Sequence, residues 1–367
     1  MGIRVVIAGG GTGGHLYPGI AVARELLSRQ PDAQISFAGT AKGIEARVVP
    51  REGFALDLIR SAGLKGKSLI DRARGASLLP LGLVDASRIV TARRPDLVIG
   101  VGGYSSGPVV MVAALRGVPT MLLEQNAVPG LTNRLLARFV RAAAVTFDST
   151  ASFFGSKAFV SGNPVRPEFL AAAGSPKESA FDDQTSEIRV LVFGSSQGAH
   201  AINVAMVEAA AQLAAGGSPL RLTHQTGERD VAMVRTAYRQ AGLQADVEPF
   251  LYDMGRQLGS ADVIVSRAGA TTLAEITAAG KPAILIPLPT ATDDHQRKNA
   301  EALAAAGAAD VLLQKDMTGG VLADRVLTLA RDRERRTRMA TAARSLARPD
   351  AAKVIVDRAL ALVGRSG

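Results

Sequence analysis

Short runs of apolar residues alternate along the chain with longer, alanine-rich stretches whose apolar positions recur at helical spacing. Strands are predicted at Arg4–Ala8, Gln34–Ala38, Asp96–Val101, Thr120–Leu123, Ala142–Val145, Arg189–Phe193, Arg221–His224, Asp262–Val265 and Pro282–Ile286. Helices are predicted at Gly19–Arg29, Ala199–Leu213, Thr271–Ala279 and Gln296–Ala305. Because strands that are apolar on both faces suit a parallel sheet covered by helices, the alternation predicts a doubly wound α/β fold.

One local pattern occurs twice. The strand Arg4–Ala8 runs into the glycine-rich segment Gly9–His15 and then into a helix. Near the middle of the chain, Arg189–Phe193 runs into Gly194–Ala199 and again into a helix. Each pattern is typical of the first β-loop-α unit of a Rossmann-like domain, so we predict two such domains.

The boundary between the two domains is predicted at Asn163-Pro164, because proline interrupts regular structure. The segment Ala171–Glu187 that follows has no apolar periodicity. We therefore predict an N-terminal domain over residues 1–163 and a second domain over residues 164–345. The remainder, 346–367, is predicted as a helix that packs back toward the N-terminal domain.

Composition narrows the function classes. A chain of 367 residues, 47% hydrophobic and 21% charged, is long enough for two globular domains and is not disordered. The lack of cysteine excludes disulfides and thiolate metal sites, and four scattered histidines do not suggest a structural metal. A net charge of +10 favours an anionic partner. With 4% aromatic residues, that partner is not expected to be nucleic acid.

No segment is long and apolar enough to cross a membrane. The opening Gly2–Ile7 is typical of a strand rather than of a signal peptide. The longest apolar stretches, such as Pro108–Leu115, are shorter than the roughly 18 residues of a spanning helix. We therefore expect a cytoplasmic protein that contacts a membrane only peripherally.

Two glycine-rich loops fall in the first half. Gly9, Gly11 and Gly14 form a G-x-G-x-x-G pattern, but the second strand ends at Gly39-Thr40 without the carboxylate that a nicotinamide cofactor needs, which disfavours a dehydrogenase. The second loop, Gly100–Pro108, follows another strand of the same predicted sheet. Because glycines let backbone N–H groups approach an anion at a helix N-terminus, the pair predicts a diphosphate site.

The second half of the chain contains a third glycine loop and a carboxylate that can be interpreted in two ways. Gly194–Ala199 is expected to hold another phosphate group. In Ser266–Glu275, either Glu275 accepts the two hydroxyls of a ribose or it serves its own helix as a capping-box residue.

Seven motifs occur in a specific order: GGTGGH, GGYSSGP, EQNAVPG, NPVR, GSSQGA, SRAGATTLAE and DDHQRKNA. This set, from about residue 4 to residue 315, closely resembles the MurG family of peptidoglycan N-acetylglucosaminyltransferases. The resemblance implies a GT-B fold, in which two Rossmann-like domains face a central cleft. It also implies inverting transfer of GlcNAc from UDP-GlcNAc to the C4 hydroxyl of MurNAc in undecaprenyl-diphospho-MurNAc-pentapeptide (lipid I), which forms lipid II. Such an enzyme serves cell-wall biogenesis, cell shape and cell division.

The resemblance also implies roles for individual residues. Ser196 would face the UDP phosphates, Leu251 would meet uracil through its backbone, Glu275 would hold ribose and Gln296 would bind GlcNAc hydroxyls. Gly13, Gly14, Gly103 and Tyr104 would hold the acceptor diphosphate. The implied donor contacts are Thr12, Gly13, Gly14, Asn126, Arg166, Ser196, Leu251, Ala270, Thr271, Thr272, Leu273, Ala274, Glu275 and Gln296.

The attacking hydroxyl needs a base. We expect His15 to take the proton, because a neutral imidazole is a proton acceptor near pH 7; otherwise His15 only donates a hydrogen bond to substrate. Glu124 is the second candidate. No cofactor or metal is expected to be required, since helix N-termini and Arg166 can meet the charge of the departing UDP. Asp293-Asp294 is accordingly interpreted as helix N-terminal charge rather than a metal site.

A basic, apolar stretch suggests docking on an anionic inner leaflet. Leu64–Arg74 contains four cations, and the apolar Leu78–Val84 follows, although the apolar part could instead be a buried helix. We expect UDP-GlcNAc, lipid I, this cytoplasmic membrane face, and cell-wall synthesis or division proteins as partners. The alternatives are another GT-B sugar-nucleotide enzyme, such as a soluble glycosyltransferase or a UDP-GlcNAc epimerase, and a nucleotide-sugar sensor without turnover.

Overall fold

The computed structural model describes residues 2–61, 78–166, 168–170, 187–194 and 198–364. The chain divides into two compact units. Unit 1 holds the residues up to 166 together with those from 348 onward, and unit 2 holds the residues between. The doubly wound α/β fold is confirmed, because each unit contains one parallel sheet with helices on its faces.

Unit 1 is built on a seven-stranded parallel sheet in the order β3-β2-β1-β4-β5-β6-β7. Its strands are β1 (Arg4–Gly9), β2 (Gln34–Gly39), β3 (Ala55–Leu58), β4 (Leu97–Gly102), β5 (Thr120–Glu124), β6 (Ala142–Val145) and β7 (Ala158–Val160). Its described helices are α1 (Gly13–Arg29), α2 (Glu45–Arg51), α3 (Leu79–Arg93), α4 (Ser106–Leu115), α5 (Leu131–Leu136), α6 (Asp148–Phe154) and, at the end of the chain, α14 (Ala351–Leu362).

Alternation along the central strand separates two apolar layers in unit 1. Val5 and Ile7 enter the layer that contains α1 and α14, whereas Val6 and Ala8 enter the layer under α3 and α4. Since α14 contributes Ile355, Val356, Ala359 and Leu360 to the first layer, the C-terminal helix is part of the core of unit 1.

Unit 2 is built on a six-stranded parallel sheet in the order β10-β9-β8-β11-β12-β13. Its strands are β8 (Ile188–Phe193), β9 (Leu220–Gln225), β10 (Gln244–Glu248), β11 (Val263–Ser266), β12 (Ala283–Leu285) and β13 (Ala309–Val311). Its described helices are α7 (His200–Ala215), α8 (Val231–Ala241), α9 (Met254–Ser260), α10 (Ala270–Ala279), α11 (His295–Ala305), α12 (Gly319–Arg331) and α13 (Arg333–Leu346).

The glycine loops follow corresponding strands in the two sheets and lie at the carboxyl edge of each. In each, the first strand of the unit is central, and the strand that follows the crossover, β4 or β11, pairs with it on the side opposite its sequence neighbour. The strand order therefore reverses at β1 and β4 in unit 1 and at β8 and β11 in unit 2. Open α/β sheets bind ligands beyond the carboxyl ends of the strands at such a reversal.

Candidate functional site

The first and second glycine loops touch through their backbones at the carboxyl ends of β1 and β4. The N–H of Gly10 donates to the carbonyl of Gly102 over 3.3 Å. A Cβ on Gly9 would lie 2.3 Å from that carbonyl oxygen, and a Cβ on Gly103 would lie 2.5 Å from the carbonyl oxygen of Gly10. Gly9, Gly10 and Gly103 also have φ of 139°, 144° and 80°, so both backbone conformation and space require glycine.

A buried carboxylate holds the first glycine loop in place by accepting hydrogen bonds. Glu45, at the start of α2, accepts the N–H of Gly11 at Oε2 (2.8 Å) and both the N–H and the hydroxyl of Thr40 at Oε1 (2.8 and 2.9 Å). The backbone N–H groups of Gly10 and Gly11 are thus already used inside the protein. The donors that remain for a ligand in this loop lie further on, at the start of α1.

His15 lies in the first turn of α1, where the two glycine loops meet. Its Nδ1 is 3.2 Å from the hydroxyl of Thr12, and its ring lies against Gly102, where an added Cβ would be 2.7 Å from the imidazole Cδ2. The side chain is partly exposed. The imidazole is therefore held beside the second loop and can reach a ligand placed at the carboxyl edge of the sheet.

Glu124 ends β5 and is buried. Its carboxylate accepts hydrogen bonds from the N–H and side-chain amide of Asn126 (3.1 and 3.3 Å), the N–H of Gly130 (2.9 Å) and the side chain of Asn133 (2.8 Å). Burial raises the pKa of Glu124, against these bonds, which lower it. Because both oxygens are bonded within one loop, the geometry favours a bracing role for Glu124 over the role of proton acceptor.

Two further predicted residues lie near the start of α1 or on the second loop. The guanidinium of Arg166 lies over the ring of Tyr17, 5.0 Å from its centroid, and Tyr17 packs beside Gly13. Arg166 is therefore held one turn from the N-terminus of α1. Tyr104 is half exposed, and its carbonyl accepts the hydroxyl of Ser61 over 3.0 Å.

In unit 2 the third glycine loop closes against the end of β9. A Cβ on Gly198, whose φ is 77°, would lie 1.9 Å from the carbonyl oxygen of Thr226. Ser196 lies outside the described residues. The N–H of Leu251 donates to Oε1 of the buried Gln225 over 2.9 Å. Because that N–H already makes a hydrogen bond within the protein, the carbonyl of Leu251 is the simpler backbone contact for a nucleobase.

The segment after β11 leads directly into α10. Gly269 is the N-cap, so Thr271 and Thr272 lie in the first turn, and no described side chain caps this helix. Arg267 is buried and donates to the carbonyls of Ile286 and Pro287 and to Gln314. Burial lowers the pKa of Arg267. A helix N-terminus at the carboxyl edge of a sheet is suited to an anion, and the buried Glu275 follows in the next turn.

Two family models match this chain. The description "Glycosyltransferase family 28 N-terminal domain" covers residues 5–145, and "Glycosyltransferase family 28 C-terminal domain" covers residues 189–355. The chain belongs to glycosyltransferase family 28. The first match lies within unit 1, and the second covers the sheet of unit 2 and continues into α14 of unit 1.

Relatives and a solved structure agree with this family 28 assignment. The chain is 46% identical, over 98% of its length and 99% of the relative's, to the UDP-N-acetylglucosamine–N-acetylmuramyl-(pentapeptide) pyrophosphoryl-undecaprenol N-acetylglucosamine transferase of Pelobacter propionicus. It is 47% identical to the protein of the same name from an Anaeromyxobacter species, over 99% and 94% of the two chains. The crystal structure of Acinetobacter baumannii MurG aligns with a TM-score of 0.81 at 33% identity, over 98% and 99% of the chains. The resemblance to the MurG family is confirmed.

Gln296, on α11 of this family 28 chain, has an oriented side-chain amide. Its Oε1 accepts the N–H of Ala268 over 3.3 Å and the N–H of Leu288 over 3.0 Å. Since the oxygen is bonded, the position of Nε2 is fixed, and no hydrogen bond joins it to another described residue. Gln296 therefore both braces the loop before α10 and directs an amide donor outward.

The acidic pair Asp293-Asp294 precedes α11. Both residues have positive φ, and Asp294 is the N-cap of the helix. Within the part of the chain that the structure describes, no three histidine or carboxylate side chains gather in a group that could hold a metal ion.

The predicted docking stretch is only partly described. Leu64–Arg74, with its four cations, lies outside the described residues. The apolar part belongs to the start of α3, where Leu79, Leu81, Leu83 and Val84 are 44%, 41%, 43% and 46% exposed. The alternative of a buried helix is therefore wrong for these four side chains. Among the described helices, none has the length and hydropathy of a membrane span.

Sequence reasoning missed the residues that hold these family 28 loops in place. Glu45, Gln125, Asn133, Gln225 and Arg267 are buried polar side chains that bond the backbone of these loops or of the strands that lead into them. Their backbone partners lie up to 34 residues away in sequence, as with Glu45 and Gly11, so no local spacing marks them. The signal that could have found them is chemical: polar side chains inside otherwise apolar segments need a partner.

Proposed function

We propose that the chain transfers N-acetylglucosamine from UDP-GlcNAc to the C4 hydroxyl of MurNAc in lipid I, with inversion at the sugar C1, and so forms lipid II. Membership in family 28, with relatives of that name over nearly the whole chain, supports this activity. The observation that carries the proposal is the imidazole of His15 at the junction of two glycine loops. That junction is the place where unit 1 can present a base to a bound hydroxyl.

The donor belongs to unit 2 in this proposal. The N-terminus of α10 faces the diphosphate in this proposal, with Ala270, Thr271 and Thr272 on its first turn and Leu273 and Ala274 continuing the helix. Glu275 holds the ribose hydroxyls, the carbonyl of Leu251 meets uracil, and Nε2 of Gln296 donates to a sugar hydroxyl. Ser196 adds a phosphate contact. The bracing of this region by Arg267 and Gln296 supports a preformed site.

The acceptor belongs to unit 1. Its diphosphate lies at the start of α1, where Thr12, Gly13 and Gly14 follow the two glycines whose N–H groups are used internally. Gly103 and Tyr104 form the other side. Arg166 and Asn126 complete the surroundings of the transferred sugar.

The reaction is a single displacement. In the tautomer that the proposal requires, the proton of His15 lies on Nδ1, 3.2 Å from the hydroxyl of Thr12, and Nε2 takes the proton from the C4 hydroxyl. The C4 oxygen forms its bond to C1 of GlcNAc as the bond from C1 to the β-phosphate oxygen breaks, and the electron pair leaves with UDP. The α10 N-terminus and Arg166 stabilise the negative charge on UDP, so the proposal requires no divalent metal or other cofactor.

Glu124 acts as a positioning residue in this scheme. Its four hydrogen bonds hold Asn126 and the turn at Gly130 in one arrangement. A base with both oxygens so engaged would have to release its loop before it could accept a proton.

The exposed leucines of α3 support peripheral docking of unit 1 on an anionic membrane. Four apolar side chains exposed within the first two turns of α3 would gain by entering the acyl boundary. The cations at Lys65, Lys67, Arg72 and Arg74 would add attraction to the anionic leaflet. Docking on the cytoplasmic face of the inner membrane brings the enzyme to lipid I, and there cell-wall synthesis or division proteins are the expected neighbours.

Turnover with defined substrates tests the proposal. The full chain is incubated with UDP-GlcNAc and a short-chain lipid I analogue, and UDP release and the new disaccharide are measured. We expect UDP release that depends on the acceptor, and a β-linked product by the C1 proton coupling. Conversion of UDP-GlcNAc without acceptor would indicate an epimerase instead, and binding without any release would indicate a sensor.

A further inference from the structure

A chain of hydrogen bonds between buried polar side chains runs through unit 2. The hydroxyl of Tyr238 is 2.8 Å from Nδ1 of His224, and Nε2 of His224 is 3.1 Å from Oδ1 of Asn203. Nδ2 of Asn203 is 2.8 Å from Oδ2 of Asp230, which is 2.9 Å from Nδ1 of His200. The first four of these residues are buried, and His200 is exposed at the first position of α7. None of them has a role in the mechanism above.

The direction of every bond in this chain is determined. The side-chain NH₂ group of Asn203 donates one hydrogen bond to Asp230 and one to the carbonyl of Thr226 (2.8 Å). The remaining polar atom of Asn203, Oδ1, must therefore accept its hydrogen bond. His224 therefore carries its proton on Nε2, and its Nδ1 accepts from the hydroxyl of Tyr238. Burial lowers the pKa of His224 to about 3, which agrees with a neutral ring.

The segment that this chain holds lies between two parts of the proposed donor site. After His224, Gln225 accepts the N–H of Leu251, the expected uracil position. Next, the carbonyl of Thr226 receives Asn203 and packs against Gly198, the end of the third glycine loop. The position of residues 224–226 therefore sets where Gly198 and Leu251 lie relative to each other.

An apolar core could hold the same strand in place, but its contacts would have no preferred direction. A buried phenol, imidazole and amide cost free energy unless each is hydrogen bonded, and here each is. Directional bonds restrict rotation of the side chains and the register of the turn more than apolar contacts do. The arrangement is suited to fixing backbone positions at the end of β9.

We propose that His224, in its Nε2–H form and oriented by Tyr238, is a positioning residue for donor binding that fixes the distance between Gly198 and Leu251. This inference rests on the proposed donor site in unit 2. It assigns the hydrogen-bond chain to recognition of the uridine diphosphate, and it leaves the chemical step to unit 1.

The test compares Tyr238→Phe with Val234→Ala in the full-length chain. Both positions are buried on α8, one turn apart, but Val234 makes no hydrogen bond with its side chain. The Kd of UDP is measured by calorimetry, and kcat and KM for UDP-GlcNAc are measured beside the melting temperature. We expect Tyr238→Phe to raise Kd and KM about three- to tenfold with kcat nearly unchanged, because residues 224–226 would be held less firmly in the free protein and would have to be ordered when UDP binds.

Val234→Ala is expected to lower the melting temperature at least as much while leaving Kd unchanged. Equal Kd shifts in the two variants, or an unchanged Kd in Tyr238→Phe, would overturn the inference. Glu275→Ala, measured in parallel, tests the proposed donor site separately from the positioning role of His224. A wild-type Kd in that variant would contradict the proposed ribose contact, whereas the Tyr238→Phe comparison decides the positioning role in either case.

Nitrogen-15 spectra of the histidine side chains give a second readout. We expect the His224 ring in the native protein to be neutral and protonated at Nε2, with Tyr238→Phe broadening or shifting the Nδ1 signal. A ring protonated at Nδ1 would reverse the derived bond directions and contradict the inference.

Discussion

The two units share a strand order but hold their glycine loops by different chemistry. In unit 1 two buried carboxylates, Glu45 and Glu124, accept backbone N–H groups of the loops at the carboxyl edge. In unit 2 the corresponding work falls largely to neutral groups: Asn203 donates to a carbonyl, and Gln225 and Gln296 accept N–H groups through amide oxygens. The same topology is therefore combined with charged support in one unit and mainly neutral support in the other.

The difference bears on which unit is better suited to bind phosphate strongly. A carboxylate that supports a loop also places negative charge behind it and uses its N–H donors, both of which weaken attraction for an anion. Amide oxygens support a loop without a net charge. Unit 2 is thus better suited to hold the charged donor strongly, whereas unit 1 is expected to hold the acceptor diphosphate less strongly and to place its hydroxyl near a base.

The strongest expected effect comes from a crossed pair of variants. His15→Ala should lower kcat about 100-fold or more, because general-base catalysis contributes on the order of 10²–10⁴, while the Kd of UDP-GlcNAc stays near that of the wild type. Glu275→Ala should instead raise that Kd about tenfold or more, because the hydrogen bonds from the ribose hydroxyls to a charged carboxylate are lost. Steady-state kinetics and calorimetry on both variants check the crossing. The division of labour between the units fails if His15→Ala keeps its kcat.

Membrane binding offers a smaller contrast between the units. Replacing Leu81 and Leu83 by Asp in unit 1 should weaken binding to anionic vesicles about tenfold or more, because a buried leucine contributes about 1.5–3 kcal/mol. The matched control is Met233→Asp in unit 2, also on an exposed apolar side chain, which should bind as the wild type does. Vesicle sedimentation at low and high salt gives the measurement, and equal losses in both variants would remove the assignment to α3.

The smallest expected effect concerns pH and has opposite signs in the two units. The pKa of His224 is lowered to about 3, so the unfolded state binds more protons below about pH 6.5 and unit 2 loses stability as the pH falls. The pKa of Glu124 is raised, so acidification toward that value adds stability to unit 1, and the gain is lost as the pH rises through it.

Hydrogen exchange at pH 7 and pH 5 distinguishes these contributions. After correction for intrinsic exchange rates, amides of β9 and α8 should lose opening free energy on acidification, and amides of β5 and α5 should gain it or stay constant. Parallel changes in the two regions would show that neither buried group governs its unit.

The sequence predicted the interior of both sheets but missed their edges. The nine predicted strands are present, whereas β3, β7, β10 and β13 were missed, and each of these lies at an end of its sheet. An edge strand is paired on one side and partly exposed, as the mixed burial of Ala55–Leu58 and Gln244–Glu248 shows, so it lacks the continuous apolar run that marks a buried strand. Helix α1 also begins at Gly13 rather than Gly19, because its glycines and Pro18 hide the helical pattern.

The candidate site divides in a similar way. Residues that sit on recognisable loops, such as His15 and Glu275, could be named from the motifs that carry them. The groups that hold those loops could not, because His224 and Asn203 meet across 21 residues and Glu45 reaches Gly11 across 34. Pairings of this kind are set by the strand order, which periodicity alone does not give.

The return of α14 to unit 1 has a consequence for synthesis on the ribosome. Unit 2 is one uninterrupted stretch of chain and can fold as soon as it has emerged. Unit 1 must wait, since Ile355, Val356, Ala359 and Leu360 complete the layer beneath α1 and are translated only after the whole of unit 2. The half of the protein that is made first is therefore finished after the second, and its apolar layer stays open to chaperones until α14 has emerged.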